Sequence, residues 1–406
     1  MSAKLQKIFP HLLAALSGLL LALAYPPYDV LGLIWIGLLP LFFVLFVPKS
    51  SDKNTDLGPR HALGIGMIFG LIYFGITYLP LLHTYPLGWA GITSPAIGLS
   101  LVFGIWALIT FLGALPYSLL VLTTLFIKKR LTADRAIAIF PFLWVIFEYL
   151  RAYFISIALY GKGALLGAHW TNGHLGYALH DNSILLQSAD LWGVYGLSLL
   201  VVAINAAVFY IGLSYVLHRR VLWSKILIPF LILLVALAYG AWRIKNIEQA
   251  TAATKSVNVA LIQTDFQPNY IAGDEYLRAV QSTIAALVNE AIKNNSEIIV
   301  LPEGSQFLPT TAASTLAAAQ KPFILIDNAA IKTANGLTNS TLYFDSEQKL
   351  VAVSEKMLLV FFGEYLPYIF KIPAKLAGAG ELVASFEARR NRVPGAEIKI
   401  LRTAFG

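Results

Sequence analysis

Apolar runs interrupted by short polar loops set the pattern of the first 245 residues. Seven runs approach the ~20 residues that a bilayer-spanning helix needs. They lie at about 9–25, 29–47, 62–82, 95–127, 136–158, 184–217 and 222–242. The first follows Lys4 and Lys7 but is not a signal peptide, because Pro26-Pro27 and a second run follow it where a small-residue cleavage site would stand. The fourth run is long enough for two spans. Splitting it breaks the alternation of the loops, so it reads as one long or tilted helix.

The loops orient the bundle. With the N-terminus inside, the inner segments carry Lys4, Lys7, Lys49, Lys53, Arg60, Lys128, Lys129, Arg130, Arg135, Arg219, Arg220 and Lys225. The outer loops 26–28, 83–94 and 159–183 carry only Lys162. This is the charge bias of a multi-pass membrane protein, and seven spans place the C-terminal part outside the cytoplasm.

From about residue 255 the period changes. Val257–Gln263 reads as a strand, and Tyr276–Asn294 as a helix with Leu277, Val280, Ile284, Leu287 and Ala291 on one face. Glu297–Leu301 reads as a buried strand, Ala312–Gln320 as a short helix and Pro322–Ile326 as a strand. Thr341–Phe344, Leu350–Val353 and Ile398–Leu401 are also strand-like. Strands mixed with helices predict an α/β sandwich. The expected domains are therefore a transmembrane helical bundle over 1–245 and an extracytoplasmic α/β domain over 255–406.

Composition narrows the function. Of the 406 residues 57% are hydrophobic and 13% charged, against roughly 25% charged in soluble domains, which excludes one large soluble enzyme. The net charge of +8 belongs to the apolar part: residues 1–249 hold 16 Lys and Arg against 8 Asp and Glu, and residues 250–406 hold 14 against 14. That asymmetry points to membrane topology and not to nucleic acid. Cysteine is absent, and all seven histidines precede residue 219. A Ser-His-Asp triad, a thiol–His dyad and a zinc site are thus excluded from the α/β part, leaving carboxylate and lysine chemistry.

Two segments there could carry it. Ile298–Leu301 drives a buried strand into Pro302-Glu303, and a strand end holds a side chain rigidly beside open space. The alternative is a solvated glutamate opening a loop. The second is Lys356-Met357-Leu358-Leu359-Val360-Phe361-Phe362-Gly363-Glu364-Tyr365-Leu366-Pro367. A lysine beside an apolar loop can stabilise a developing oxyanion, with a carboxylate keeping it charged. Alternatively the lysine is solvated and the loop packs on the core or dips into lipid.

Taken together, Leu301-Pro302-Glu303, Asn339-Ser340 and the block from Lys356 to Pro367 resemble the apolipoprotein N-acyltransferase family. Leu23-Ala24-Tyr25-Pro26-Pro27-Tyr28 is similar to that family's first hairpin, and Trp144–Arg151 to its fifth span. Leu186–Ser198 is similar to the segment entering its sixth. The resemblance covers nearly the whole chain in order, and its most specific piece runs from Lys356 to Glu364. It implies a membrane bundle carrying a nitrilase-like (carbon–nitrogen hydrolase) αββα sandwich.

By that resemblance Glu303 is the general base, Lys356 the oxyanion stabiliser and Glu364 a supporting carboxylate. The implied reaction moves an acyl chain from a glycerophospholipid, through a thioester, to the N-terminal α-amine of a diacylglyceryl-modified apolipoprotein. No cofactor or metal is implied. The implied setting is a monomer in the bacterial cytoplasmic (inner) membrane, with its catalytic domain facing the periplasm. The family's nucleophile is a cysteine beyond an Arg-x-Pro-Gly-like turn, here Arg392-Val393-Pro394-Gly395, and Ile398–Gly406 runs up to where it would stand. The sequence is therefore expected to be partial, incomplete in the sandwich and lacking a last span. Phe361 replaces the family's proline and Tyr270 its tryptophan, both at the acyl entrance.

Other readings use the same residues. A membrane-tethered amidase would employ Glu303 and Lys356 equally, and a lipoprotein-binding homologue without turnover would fit the missing cysteine. A transporter or sensor predicts ionisable or helix-breaking positions at mid-span, which are nearly absent. Glu148 and Arg151 sit three apart, so structural pairing across a turn is expected. His169, His174 and His180, at spacings of five and six, fit interfacial packing better than metal ligation. Trp89, Trp170, Trp192 and Trp242 read as an interfacial belt.

Overall fold

A computed structural model describes residues 3–47, 57–90, 92–220, 223, 226–252, 254–266, 273–310, 316, 321–397 and 399–403. The chain divides into two compact units. The first comprises Met1–Pro86, Ser94–Ser156 and Gly167–Ala253; the second comprises Leu87–Thr93, Ile157–Leu166 and Thr254–Gly406.

The helices of the first unit are α1 (Ala3–Leu23), α2 (Leu39–Phe46), α3 (Pro59–Thr77), α4 (Pro95–Arg130), α5 (Ala133–Ala158), α6 (Ser183–Leu186), α7 (Ala189–His218) and α8 (Leu227–Ala252). Among the described residues five are long and apolar enough to cross a membrane: α3, α4, α5, α7 and α8. The fourth apolar run is one helix of 36 residues, or about 54 Å at 1.5 Å per residue.

The second run is not one helix. A 3-10 turn at Leu31–Trp35 gives way to the short α2, whose first turn holds Pro40. Breaking a helix among apolar neighbours strands backbone groups, and side chains answer them. Asn205 Oδ1 accepts from Leu38 N at 3.0 Å, Asn205 Nδ2 donates to Ile34 O at 2.8 Å, and Ser17 Oγ donates to Gly37 O at 2.6 Å. The sixth run breaks as well, between α6 and α7, and bends again at Gly193. Its φ of 63° there suits a residue without Cβ.

The three membrane motifs singled out above converge on one buried stretch, Gly173–Gly176. Tyr25 OH donates to Asn172 Oδ1 and accepts from Gly173 N; Tyr73 OH donates to Gly173 O. Glu148 Oε1 accepts from Leu175 N at 2.7 Å and from Trp144 Nε1 at 3.2 Å. Ser198 Oγ accepts from Gly176 N. Arg151 Nη1 donates at 2.8 Å to both Tyr78 OH and Asn172 O. The expected Glu148–Arg151 pair is therefore corrected. Both side chains are fully buried, yet each is engaged by the 172–176 loop and its aromatic neighbours. Irregular backbone needs partners wherever water is excluded, and these charges supply them. Trp170 likewise is more than an interfacial ring, since its Nε1 donates to Tyr78 OH at 3.1 Å.

The second unit is built on a sheet of five strands in the order β1-β2-β3-β4-β5. These are β1 (Val259–Leu261), β2 (Ile298–Val300), β3 (Ile324–Thr333), β4 (Gly336–Phe344) and β5 (Leu350–Glu355). β1, β2 and β3 run parallel, and β3, β4 and β5 antiparallel. The helices are α9 (Asp274–Lys293), α10 (Phe307–Thr310), α11 (Tyr368–Leu376) and α12 (Gly380–Arg390).

Helix α9 buries Ile284, Val288, Ala291 and Ile292 against Ile299, Leu301, Leu325, Ala329, Leu342 and Phe344 of the sheet side. The expected helix is present, but its face is rotated: Val288 is central, and Leu277 is half exposed. Strands β3 and β4 are far longer than the expected Pro322–Ile326 and Thr341–Phe344. Their added residues alternate in burial over Asp327–Ala329 and Leu337–Ser340 but not in polarity, and pairing from Leu325–Phe344 to Thr333–Gly336 turns them into one hairpin. Of the expected Ala312–Gln320 helix, all but Leu316 lies outside the described residues. Ile398 also lies outside them, and 399–401 form no strand.

Candidate active site

The sheet brings the three carboxylate and lysine candidates together. Glu303 leaves the end of β2, where Leu301 N still donates to Ile326 O. Gly304 follows with φ of 77°, a conformation that turns the chain sharply and favours glycine. Lys356 follows β5 directly, its N–H donating to Asn339 O of β4 and its carbonyl accepting from Gly395 N. Glu364 closes a tight loop in which Phe362 N donates to Tyr365 O and Phe362 has φ of 59°.

Lys356 Nζ stands 3.1 Å from Glu364 Oε2 and 3.5 Å from Glu303 Oε1. The two carboxylates differ in setting. The Glu364 side chain is 9% exposed and that of Glu303 70%. Glu364 is also saturated with donors: Oε1 accepts from Asn339 Nδ2 at 2.7 Å, and Oε2 accepts from Val360 N at 2.8 Å. Such a carboxylate is fixed in place beside Lys356. Glu303 accepts one bond, from Asn339 Nδ2 at 2.8 Å, and otherwise faces outward. That arrangement leaves it able to exchange a proton with a reacting group.

The loop bearing Glu364 is braced by the 157–166 segment of the same unit. Tyr365 OH donates to Leu159 O at 3.1 Å, Tyr368 N donates to Tyr160 O, and Gly161 pairs with Pro367 in an antiparallel bridge. Arg392 N donates to Glu364 O, so the Arg392–Gly395 turn contacts both Lys356 and Glu364 through backbone. Leu358 and Val360 of the apolar loop are half exposed. Phe361 packs on Phe362, their ring centroids 5.6 Å apart. Tyr270 lies outside the described residues.

Sequence reasoning missed the polar residues of β3. Asp327 is buried; it accepts from Ser305 Oγ and from the backbone N–H of Leu308 and Asn328. Burial pushes its carboxyl above the usual range, with those donors acting the other way. Asn328 Oδ1 accepts from Gly304 N at 2.7 Å, and Asn328 Nδ2 donates to Asn339 Oδ1 at 2.8 Å. The available signal was an Asp-Asn pair inside an apolar strand pattern.

The histidines do not assemble. His174 is fully buried beside Tyr195, with ring centroids 4.8 Å apart, and burial followed by the nearby Arg151 charge lowers its pKa to about 3. His180 sits between Asp29 (Nδ1 to Oδ1, 3.8 Å) and Asp181 (Nε2 to Oδ1, 3.2 Å). These are the only close three-ligand set among the described residues. In this arrangement Asp29 approaches one ring nitrogen and Asp181 the other.

Comparison with known proteins covers both parts of the chain. The family description "Apolipoprotein N-acyltransferase N-terminal domain" matches residues 17–207. Among similar proteins, the apolipoprotein N-acyltransferase of Geobacter metallireducens is 29% identical over 98% of this chain and 71% of its own length. That of Pasteurella multocida is 25% identical over 97% and 73%, and that of Haemophilus influenzae 24% over 93% and 70%. The similarity to apolipoprotein N-acyltransferases thus runs over nearly the whole chain, the bundle and the α/β part together.

Proposed function

We propose that this chain acts in acyl transfer from a glycerophospholipid to the N-terminal α-amine of a diacylglyceryl-modified apolipoprotein. The supporting observation is the placement of one lysine between a buried, saturated carboxylate and an open one. In this reading Glu303 is the general base, Lys356 the oxyanion stabiliser and Glu364 the carboxylate that holds Lys356. The route requires a thiol, and the 406 residues contain no cysteine.

Given such a thiol, Glu303 takes its proton as sulfur attacks the ester carbonyl carbon, and Lys356 stabilises the resulting oxyanion. The carbon–oxygen bond to glycerol then breaks, Glu303 returns the proton to the leaving alkoxide, and a thioester and a lysophospholipid result. In the second half the lipoprotein amine attacks the thioester carbonyl, Glu303 accepts its proton, and the carbon–sulfur bond breaks. The thiolate recovers that proton, leaving an amide.

Residues 1–245 serve in this proposal as a seven-span bundle of the bacterial inner membrane. Residues 255–406 serve as the catalytic, nitrilase-like αββα domain on its periplasmic side, in a monomeric protein. Twelve basic residues on one side of the spans against one on the other support that orientation. Both substrates are lipid-anchored, so a membrane-held site confines their encounter to two dimensions.

The test is acyl transfer in phospholipid vesicles holding the protein and a synthetic diacylglyceryl lipopeptide, followed by mass spectrometry. Transfer that vanishes in Glu303→Gln and Lys356→Ala, with membrane insertion intact, supports the reading. Wild-type turnover in either variant sinks the assigned roles. A second reading, lipoprotein binding without turnover, predicts lipopeptide retention with no product.

A further inference from the structure

Asn339 holds both carboxylates, and what orients Asn339 is itself visible. Its amide donates at 2.8 Å to Glu303 Oε1 and at 2.7 Å to Glu364 Oε1. An asparagine amide can present either its NH2 or its oxygen to a given neighbour, and only one orientation serves two ionised carboxylates. The choice is made one residue further back. Asn328 Nδ2 donates to Asn339 Oδ1 at 2.8 Å and to Ser340 O at 3.2 Å. Asn328 in turn cannot flip, because its Oδ1 accepts from the backbone N–H of Gly304 at 2.7 Å, and a backbone N–H can only donate.

The register explains the reach. Asn328 pairs with Thr341, and Asn339 pairs with Ala330, so the two asparagines share one sheet face as diagonal cross-strand neighbours. The chain of bonds starts at Gly304, passes through two amides and returns to Glu303, the residue before it. Gln306 N donates to Asn328 O, which clips the same loop a second time.

We infer that Asn328 is a positioning residue: its amide fixes the orientation of Asn339 and so holds Glu303 and Glu364 on Lys356. Asn328 acts through the Asn339 amide and, on its other side, through the Gly304 N–H next to Glu303. The inference rests on the proposed roles of Glu303 and Glu364, and its test separates the two.

The experiment uses the whole membrane-embedded protein. In the vesicle assay, Asn328→Ala is expected to lower kcat about tenfold, the rate equivalent of one lost hydrogen bond, with KM for the lipopeptide little changed. In an Asn339→Ala background the same substitution has a clearly smaller effect, because the Gly304 bond is then the one route left to it. Asn328→Asp presents an oxygen to Asn339 Oδ1 and turns that amide over, setting its oxygen against both glutamates. Carboxylate titration by isotope-edited infrared spectroscopy should then move to higher pH relative to wild type, whether or not the protein turns over. Additive losses in the double variant, or an unmoved titration, overturn the inference. Absence of transfer in the wild type overturns the proposed function instead, and the infrared titration still decides Asn328.

Discussion

Lys356 Nζ and Glu364 Oε2 stand 3.1 Å apart, with the glutamate nearly closed off from solvent and the lysine side chain one-third exposed. The pair is therefore asymmetric. Glu364 cannot lose Lys356 without leaving a buried carboxylate short of a cation, whereas Lys356 retains access to water. Glu364→Gln should cost about 2 kcal/mol of stability in the second unit, the loss of a charge-assisted bond. Thermal unfolding of the purified protein reads that cost, and an unchanged midpoint would refute the buried-anchor role.

Glu303 predicts the opposite balance. Its side chain is 70% exposed, and exposed ion pairs contribute little to stability. Glu303→Gln should unfold with wild-type cooperativity and midpoint while acyl transfer is lost. A midpoint falling as far as that of Glu364→Gln would show that Glu303 is structural.

The buried guanidinium of Arg151 predicts a local loosening. Asn172 O and Tyr78 OH share its Nη1. Arg151→Met keeps the hydrophobic stem and removes both bonds. The expected outcome is a loss of about 3 kcal/mol with faster amide exchange at Gly173 and Leu175. Wild-type exchange there would mean that the aromatic hydroxyls hold the loop alone.

His174 predicts acid sensitivity. Its pKa is about 3 when folded, against about 6.5 in an unfolded chain. Between those values the unfolded chain binds a proton that the folded one refuses. The stability contribution is present above pH 6.5 and is lost as pH falls toward 3, at up to about 1.4 kcal/mol per pH unit. Unfolding midpoints in detergent between pH 7 and 4.5 should fall accordingly. His174→Phe, which keeps a ring against Tyr195, should flatten that dependence; an equal fall in both proteins would place the acid sensitivity elsewhere.

The apolar runs and the change of period near residue 255 were legible because hydrophobic patterning is local. A run of 36 residues such as Pro95–Arg130 shows itself without any neighbour. The break at 31–39 was less legible, because Gly32, Gly37 and Pro40 destabilise a helix only as far as Asn205 and Ser17 stand ready to satisfy the freed backbone. Those partners are distant in sequence.

Glu303, Lys356 and Glu364 could be singled out as chemistry-bearing residues from their flanking strands and the family resemblance, but not their mutual distances. The long β3–β4 hairpin was hidden because Asp327, Asn328, Asn339 and Ser340 look like loop residues. Register alone sets Asn328 beside Asn339, and two amides recognise each other only once a backbone hydrogen-bond ladder has aligned them.

The sequence by itself determined which segments are apolar enough for lipid, which side of them is basic, and which side chains are available for polar chemistry. Those are sums over neighbouring residues. Tertiary structure alone decided that Glu148 and Arg151 hold a loop instead of each other, and that one asparagine orients another beneath the two glutamates. A hydrogen bond is directional and short, so its partner depends on where the folded backbone carries each donor.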